Sequence, residues 1–216
     1  MSPRKAAALR DAGDGQSLRE HLITTAERMI ASRGTAALTV REIAREAGVA
    51  DGVLYNYFDS KETLLAHAVA AHLATIEAGL GDLPVPGEGD VAANLGAHVR
   101  YGIALHRALL PVMAGLGPQA EVASQFAGLI APGANWRERL LEYLRAERDL
   151  GRLASGAPVD TAAAMIVGVC HEMVLTFLLP GGEGKVMSAE PPDADAIAAV
   201  ILEGIRDRPE IPASRQ

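Results

Sequence analysis

The sequence contains few of the residues on which covalent or metal chemistry depends. Its single cysteine, Cys170, excludes an intramolecular disulfide and fits a reducing cytoplasm. None of the six histidines has a cysteine or a second histidine four residues away, which is the spacing that a helical zinc site needs. We therefore expect no metal and no cofactor.

Catalytic motifs are absent as well. The sequence has neither a Gly-x-Ser-x-Gly segment nor a dinucleotide-binding glycine pattern. Cys170, His171 and Glu172 look like a nucleophile, a base and an orienting group. Adjacent residues on a helix point about 100° apart, however, so these three side chains cannot converge on one centre. We do not expect an enzyme.

Long apolar runs and a signal peptide are also missing. The best candidate for a membrane span, 162–179, contains His171 and Glu172, so it falls short of the roughly 18 apolar residues required. Arg4, Lys5 and Arg10 are followed by no apolar run. These absences predict a soluble, cytoplasmic protein.

Aromatic residues are scarce and strong positive charge is absent. Aromatics make up 4% of the 216 residues, and the abundance of alanine and leucine favours helices. The net charge of −7 is uneven, at about +1 through Lys61 and −8 beyond it. A nucleic-acid function must therefore rest on a motif and not on gross electrostatics.

The segment 38–61 has the pattern of two short helices joined by a tight turn. Thr39 and Glu42 form a capping box that opens the first helix, and Gly48 stands where the chain must turn in a left-handed conformation. The second helix, about 51–58, can bury Leu54 and Phe58 on one side. The pattern predicts a helix-turn-helix.

The exposed side of the second helix carries the sequence Tyr55-Asn56-Tyr57, whose hydroxyls and amide suit phosphates and base edges. The alternative is that Tyr55 and Tyr57 are core aromatics of a plain helical hairpin. Lys61 stands at the start of the next helix, where a cation opposes the helix dipole, so an external phosphate explains it better.

The stretch Thr-Val-Arg-Glu-Ile-Ala-Arg-Glu-Ala-Gly-Val-Ala-Asp-Gly-Val-Leu-Tyr-Asn-Tyr-Phe-Asp-Ser-Lys-Glu-Thr-Leu resembles the N-terminal domain of the tetracycline-repressor (TetR) family, over about residues 17–70. The resemblance implies a homodimer that binds operator DNA and releases it when a small molecule fills a pocket in the C-terminal domain. It also implies base contacts from Arg41, Gly52, Val53 and Asn56. The full predicted DNA-binding set is Thr39, Val40, Arg41, Asp51, Gly52, Val53, Tyr55, Asn56, Tyr57 and Lys61.

Helical patterns continue to the end of the chain, with glycine and proline at each junction. We predict an all-α fold: a disordered tail at 1–15, a three-helix DNA-binding domain at 16–62, and a helical ligand-binding and dimerisation bundle at 63–216. The helix that opens near residue 60 would link the two functions.

The last two helices, about 159–179 and 193–207, carry more apolar surface than one chain needs. We predict that they pair with a second copy through Met165, Val169, Met173, Ile197, Val200, Ile201 and Ile205. The alternative is that both helices are internal to a monomer.

A small-molecule pocket would have to form between the bundle helices. Candidate lining residues are the larger or polar side chains on these helices: His98, Tyr101, His106, Met113, Phe126, Trp136, Tyr143, Met165, His171 and Phe177. Each of them taken alone is better explained by packing than by recognition.

The sequence thus predicts a DNA-binding transcriptional regulator, a repressor more often than an activator. Its partners would be double-stranded operator DNA, a second copy of the chain and a small-molecule effector, with no membrane. The alternative is a helical ligand-binding or interaction protein that does not use its helix-turn-helix on DNA. Asp51 favours that alternative, because a carboxylate at the head of the reading helix would repel phosphates.

Overall fold

The structure is a computed structural model that describes residues 15–35, 38–116, 120–178 and 193–205. Side chains are described for the same ranges apart from 15–16 and 173–178. The predicted tail at 1–15 lies outside the described residues except for Gly15, which already belongs to the first helix.

The described residues form helices and no strands, which confirms the predicted all-α class. The helices are α1 Gly15–Arg33, α2 Val40–Ala47, a short 3-10 helix Asp51–Asn56, α3 Lys61–Leu80, α4 Val91–Leu116, α5 Ala120–Leu129, α6 Trp136–Asp149, α7 Val159–Leu178 and α8 Ala194–Ile205.

Two compact units divide the chain. The first comprises residues 1–79 and 108–131, and the second comprises 80–107 and 132–216. The division cuts α4 after Arg107, whose carbonyl cannot receive an amide hydrogen bond from Pro111. By its contacts α3 belongs to the first unit through Gly79, so the compact unit is larger than the predicted domain at 16–62. The functional boundary at residue 62 remains a prediction.

The first unit closes around a core to which all of its helices contribute. α1 begins at Gly15, so Ser17 lies within its first turn. The hydroxyl of Thr35, which is buried, donates to the carbonyl of Val112 at 3.0 Å and ties the α1–α2 connection to α4. The core consists of Leu22, Ala26, Met29, Ile30, Leu38, Ile43, Ala44, Ala47, Leu54, Phe58, Leu64, Leu65, Ala66, Ala68, Val69, Val112, Leu116 and Val122.

Within the described residues, α3 is the helix that is long and apolar enough to cross a membrane on length and composition. Two features explain its hydropathy without a bilayer. Leu64, Leu65 and Val69 are buried in the core of the first unit. His72 contacts Glu27 of α1 at 3.0 Å, which a lipid-facing helix would not provide. We interpret α3 as a core helix.

The second unit packs α6 against α7 and α7 against α8, together with α4 up to Arg107. Asn135 caps α6 by accepting from the amide of Glu138 at 2.9 Å. The buried apolar residues of the second unit are Leu95, Val99, Tyr101, Ile103, Leu105, Trp136, Leu140, Tyr143, Leu144, Leu153, Ala157, Val159, Ala162, Ala163, Ile166, Cys170, Ala194, Ala198, Ile201, Leu202 and Ile205.

Candidate nucleic-acid interface

The start of α2 is fixed by the capping box that the sequence predicts. The Thr39 hydroxyl accepts from the Glu42 amide at 3.2 Å, and the Glu42 carboxylate accepts from the Thr39 amide at 3.0 Å. Hydrogen bonds from Thr39 lower the pKa of Glu42, so its carboxylate stays ionised. The cap holds Thr39, Val40 and Arg41 at the open end of the helix, where the Arg41 side chain is 89% exposed.

The turn after α2 depends on Gly48. Its φ of +74° lies in the left-handed region, and the Val49 amide closes the turn on the Ala44 carbonyl at 3.0 Å. The next helix begins at Asp51, three residues later. This spacing is that of a helix-turn-helix, so the backbone has the geometry of the predicted motif.

The second helix of the motif is shorter and tighter than predicted. It is a 3-10 helix that ends at Asn56, after which the Leu54 carbonyl accepts from both the Tyr57 and Phe58 amides at 3.0 Å. Leu54 and Phe58 are 2% and 3% exposed, as the spacing predicted. This anchoring fixes which side of the short helix faces outward.

The outward side carries most of the predicted contact residues. Tyr55 is 60% exposed, so it is not a core aromatic. Tyr57 is half-buried and packs against the core of the first unit, so the alternative reading holds in part for this residue. The predicted contact residues that are exposed are Thr39, Arg41, Asp51, Gly52, Tyr55 and Asn56, and those that are half-buried are Val40, Val53, Tyr57 and Lys61.

The charge of Asp51 is paired across the motif. Its carboxylate lies 3.4 Å from the Arg41 guanidinium, and both side chains are more than half exposed. An exposed ion pair of this kind contributes about 0–1 kcal/mol, but it offsets the repulsion that Asp51 alone would exert on a phosphate. The argument against DNA binding that rested on Asp51 is therefore weaker than the sequence suggested.

α3 brings Lys61 next to the motif. The Ser60 hydroxyl caps the helix by accepting from the Thr63 amide at 3.1 Å, so Lys61 is its first residue. Lys61 lines one shallow crevice with Val40 and Tyr55. Predicted residues from three separate helices thus meet on one surface.

The sequence did not reveal the side chains that pack beneath this surface. The Arg19 guanidinium lies 2.8 Å from the His67 ring nitrogen Nε2 and sits over the Phe58 ring at 5.0 Å. Burial, and then the charge of Arg19, lowers the pKa of His67, so a neutral imidazole can accept from Arg19. Arg19 is 39 positions from Phe58 and 48 positions from His67 along the chain, so no local sequence pattern connects it to them.

The predicted ligand residues do not form one site. In the second unit the His98 and Tyr143 rings lie 4.5 Å apart, and His106 lies 5.3 Å from Trp136 and 4.6 Å from His171. Met113 and Phe126 pack against the core of the first unit instead. Met165 is 52% exposed on α7. The side chain of Phe177 is outside the described residues.

Two of these aromatics are held by close packing. A Cβ at Gly102 would overlap the Trp136 ring, so α4 approaches α6 only because residue 102 is glycine. The Tyr101 hydroxyl accepts from Arg139 at 3.3 Å, and the Arg139 guanidinium also lies over the Tyr101 ring. Trp136 and Tyr101 are therefore well explained as packing residues.

An open pocket of about 340 Å³ lies beside His98 and Tyr143 in the second unit. The sequence pointed to these two residues and to none of the other lining residues. The other lining residues are Leu83, Pro84, Pro86, Arg139, Glu142 and Ala146.

The predicted dimer residues divide between two faces. Ile201 and Ile205 are 7% and 4% exposed, so they belong to the core of their own chain. Val200 is 68% exposed and Met165 is 52% exposed, whereas Val169 and Ile197 are half-buried. The Met173 side chain lies outside the described residues. The exposed face of α7 and α8 also carries Ala164, Gly168, Ala196 and Ala199.

The part of the chain that the structure describes contains no group of three His, Cys, Asp or Glu residues placed to hold a metal. Cys170 is fully buried, and burial raises the pKa of its thiol to about 12, so this group is unsuited to act as a nucleophile.

The fold and this surface define a class: a helix-turn-helix protein with a second all-helical unit. Residues 22–68 match the family model described as bacterial regulatory proteins, tetR family. The match covers the N-terminal helix-turn-helix segment, and over that segment the chain is similar to regulators of the TetR family.

Individual relatives match over the same N-terminal segment. The transcriptional regulator BetI of Rhizobium meliloti is 45% identical over 65 residues, which cover 30% of this chain and 29% of BetI. The transcriptional repressor KstR2 of Mycobacterium tuberculosis is 46% identical over 56 residues, 26% of this chain and 28% of KstR2. The match thus spans less than a third of the length of either curated relative.

The fold extends the likeness beyond this segment. The crystal structure of the regulator FadR from Bacillus subtilis, in complex with stearoyl-CoA, has a TM-score of 0.56 and covers 85% of this chain and 95% of FadR. The two sequences are 24% identical. At this identity the comparison establishes a shared fold.

Proposed function

We propose that the chain is a DNA-binding transcriptional regulator, acting as a homodimeric repressor that a small molecule releases from its operator. The observation that carries the proposal is the surface of the first unit. There a motif held by a capping box and a left-handed glycine presents Arg41, Gly52, Tyr55 and Asn56 to solvent. The match of residues 22–68 to the tetR family model supports the same function, and a cytoplasmic location would follow from it.

The chemistry of this surface suits DNA. Arg41 and Asn56 are side chains that read base edges in the major groove, and Gly52 leaves room for the backbone to come close. Nothing lies within 4 Å of the position that a Cβ would occupy at Gly52. Tyr55, Tyr57 and Lys61 are placed to contact phosphates, which would fix the register of the motif without reading the sequence.

The exposed face of α7 and α8 supports a homodimer. Six exposed residues of these helices are small or apolar, which would allow close approach of a second copy related by a two-fold axis: Ala164, Met165, Gly168, Ala196, Ala199 and Val200. A dimer is also what the DNA function requires, because two reading heads must enter successive major grooves about 34 to 36 Å apart. Val200 is the best residue to test, because Ile201 is needed in the core of its own chain.

A small-molecule effector is supported by the pocket in the second unit and by the stearoyl-CoA complex of the related fold. The rival function, an interaction protein that does not bind DNA, rested on the charge of Asp51. Its pairing with Arg41 leaves that function without a specific observation in its favour.

The direct test is a gel shift with the DNA upstream of the gene that encodes the chain, with unrelated DNA of equal length as the competitor. We expect specific retardation. Asn56→Ala should change which sequences are preferred, because it removes a base reader. Lys61→Ala should weaken binding to all sequences alike and lower the slope of log affinity against log salt by about one. Equal binding to both DNAs would refute the proposal.

A further inference from the structure

The pocket in the second unit is built around a buried histidine. His98 is 1% exposed, and neither of its ring nitrogens has a hydrogen-bond partner among the described residues. His98 is one of the residues that line the open pocket. Buried polar groups are nearly always paired, so its two unpartnered nitrogens indicate a partner that the described residues do not supply. The volume of about 340 Å³ lies at the lower end of the range for small-molecule sites.

The protonation state of His98 narrows the chemistry of that partner. Burial, and then the charge of Arg139, lowers the pKa of His98 to about 4, so the imidazole is neutral near pH 7. One ring nitrogen then donates and the other accepts. A hydroxyl group, which also donates and accepts, can pair with either nitrogen. A carboxylate would gain little, because the imidazole carries no positive charge to attract it.

The other lining residues favour an uncharged molecule with an apolar body. Leu83, Pro84 and Pro86 form one wall, and Ala146 contributes a methyl group from α6. Arg139 and Glu142 bring one charge of each sign, which leaves no net charge at the pocket. The Arg139 guanidinium is already engaged with the Tyr101 ring and hydroxyl.

The proline wall is held in place before any ligand arrives. The carboxylate of Glu147, which is fully buried, accepts from the Gly87 amide at 3.0 Å and lies 3.1 Å from the Arg152 guanidinium. Arg152 also donates to the carbonyls of Glu88 and Gly89. A preformed wall avoids part of the ordering cost of binding.

We propose that this pocket binds a compact, uncharged molecule that carries a hydroxyl group on an apolar ring, the class of the simple phenols, with His98 as its hydrogen-bond partner. That such a ligand is also the effector rests on the proposed function. The pocket is linked to the DNA-binding surface along the chain, because the segment that contains Leu83, Pro84 and Pro86 follows α3, the helix that begins at Lys61.

Three probes of one shape test the chemistry: para-cresol, toluene and para-toluate. We expect calorimetry on the full chain without DNA to give binding of para-cresol and at least tenfold weaker binding of the other two. Toluene lacks the hydroxyl group, and para-toluate carries a charge. No binding of para-cresol, or equal affinity for all three, would overturn the proposal.

Variants locate the site. His98→Phe keeps the aromatic ring beside Tyr143 and should abolish the preference for para-cresol over toluene. Ala146→Phe fills the pocket and should weaken para-cresol at least tenfold, and it keeps the test valid should His98→Phe fail to fold. Ala93→Phe, at an exposed position of α4 that is not part of the pocket lining, is the matched control and should bind like the wild type. Undiminished binding in Ala146→Phe would place the ligand elsewhere and refute the proposal.

The calorimetry is done without DNA, so its result does not depend on the proposed regulatory function. In a separate gel shift, para-cresol should release the wild type from upstream DNA and fail to release Ala146→Phe. If the chain binds no DNA at all, the regulatory proposal fails while the calorimetric result for the pocket still holds.

Discussion

The two units of this chain place their candidate sites in opposite ways. The surface that we assign to DNA is assembled from one continuous stretch, residues 39–61, whose shape is set by caps and a glycine turn. The pocket is assembled from residues 83–146, which meet only because helices pack. A site made by local geometry can be seen in a sequence, whereas a site made by long-range packing can be seen only in a structure.

The same contrast separates what the sequence could predict from what it could not. Thr39, Glu42 and Gly48 carry their own structural signals, so the helix-turn-helix was predicted almost to the residue. The other helices also begin and end close to the glycines and prolines that mark their junctions in the sequence.

The failures lie where three-dimensional packing decides. One apolar face of α8 was expected to be exposed, but the structure turns Ile201 inward and Val200 outward. Periodicity shows that a helix has an apolar side, and it does not show which neighbour covers that side. The 3-10 geometry at 51–56 was missed for a similar reason, because Leu54 and Phe58 are buried equally well by a tighter helix.

The largest expected effect comes from a substitution in the second unit that should abolish DNA binding by the first unit. Val200→Glu, on the exposed face of α8, should put an unpaired carboxylate in the proposed dimer interface and abolish specific DNA binding by the first unit. Sedimentation should give a monomer. Val85→Glu is the matched control, because Val85 is also exposed, at 55%, but lies in the loop before α4. A dimer that persists in Val200→Glu would exclude this face.

A second comparison concerns two helix glycines, one in close contact with a neighbouring side chain and one in open space. Gly102→Ala forces a methyl group into the Trp136 ring and should lower the free energy of unfolding by about 3 kcal/mol. Gly79→Ala, near the end of α3 with nothing within 4 Å, should raise it by about 0.5–1 kcal/mol. Chemical denaturation measures both. Similar values for the two variants would contradict the close approach of α4 and α6.

Acid should weaken the second unit through His98. The pKa of this residue is lowered from 6.5 to about 4 in the folded chain, so between these pH values the unfolded chain binds more protons. Stability should therefore fall as pH drops through this window, by about 2 kcal/mol at pH 5. In His98→Phe the free energy of unfolding should depend less on pH over the same range. An equal dependence in both proteins would mean that His98 is not the neutral buried group described here.

Two glycines of the helix-turn-helix should separate folding from recognition. Gly48→Ala meets a left-handed backbone and should cost about 1 kcal/mol of stability. A methyl group at Gly52 meets nothing within 4 Å, so Gly52→Ala should leave the thermal midpoint almost unchanged. It should nevertheless weaken DNA binding, because the methyl group would lie between the protein backbone and the DNA. Unaltered DNA affinity in Gly52→Ala would remove this residue from the interface.

The central claim is that two copies of the first unit's surface read DNA together, and hydroxyl-radical footprinting on the upstream DNA tests it most directly. We expect two protected patches one helical turn apart, about 34 to 36 Å between centres, since each reading head occupies one major groove. Both patches should vanish in Val200→Glu and remain in Val85→Glu. A single protected patch, or no protection at concentrations at which the chain is a dimer, would contradict the account.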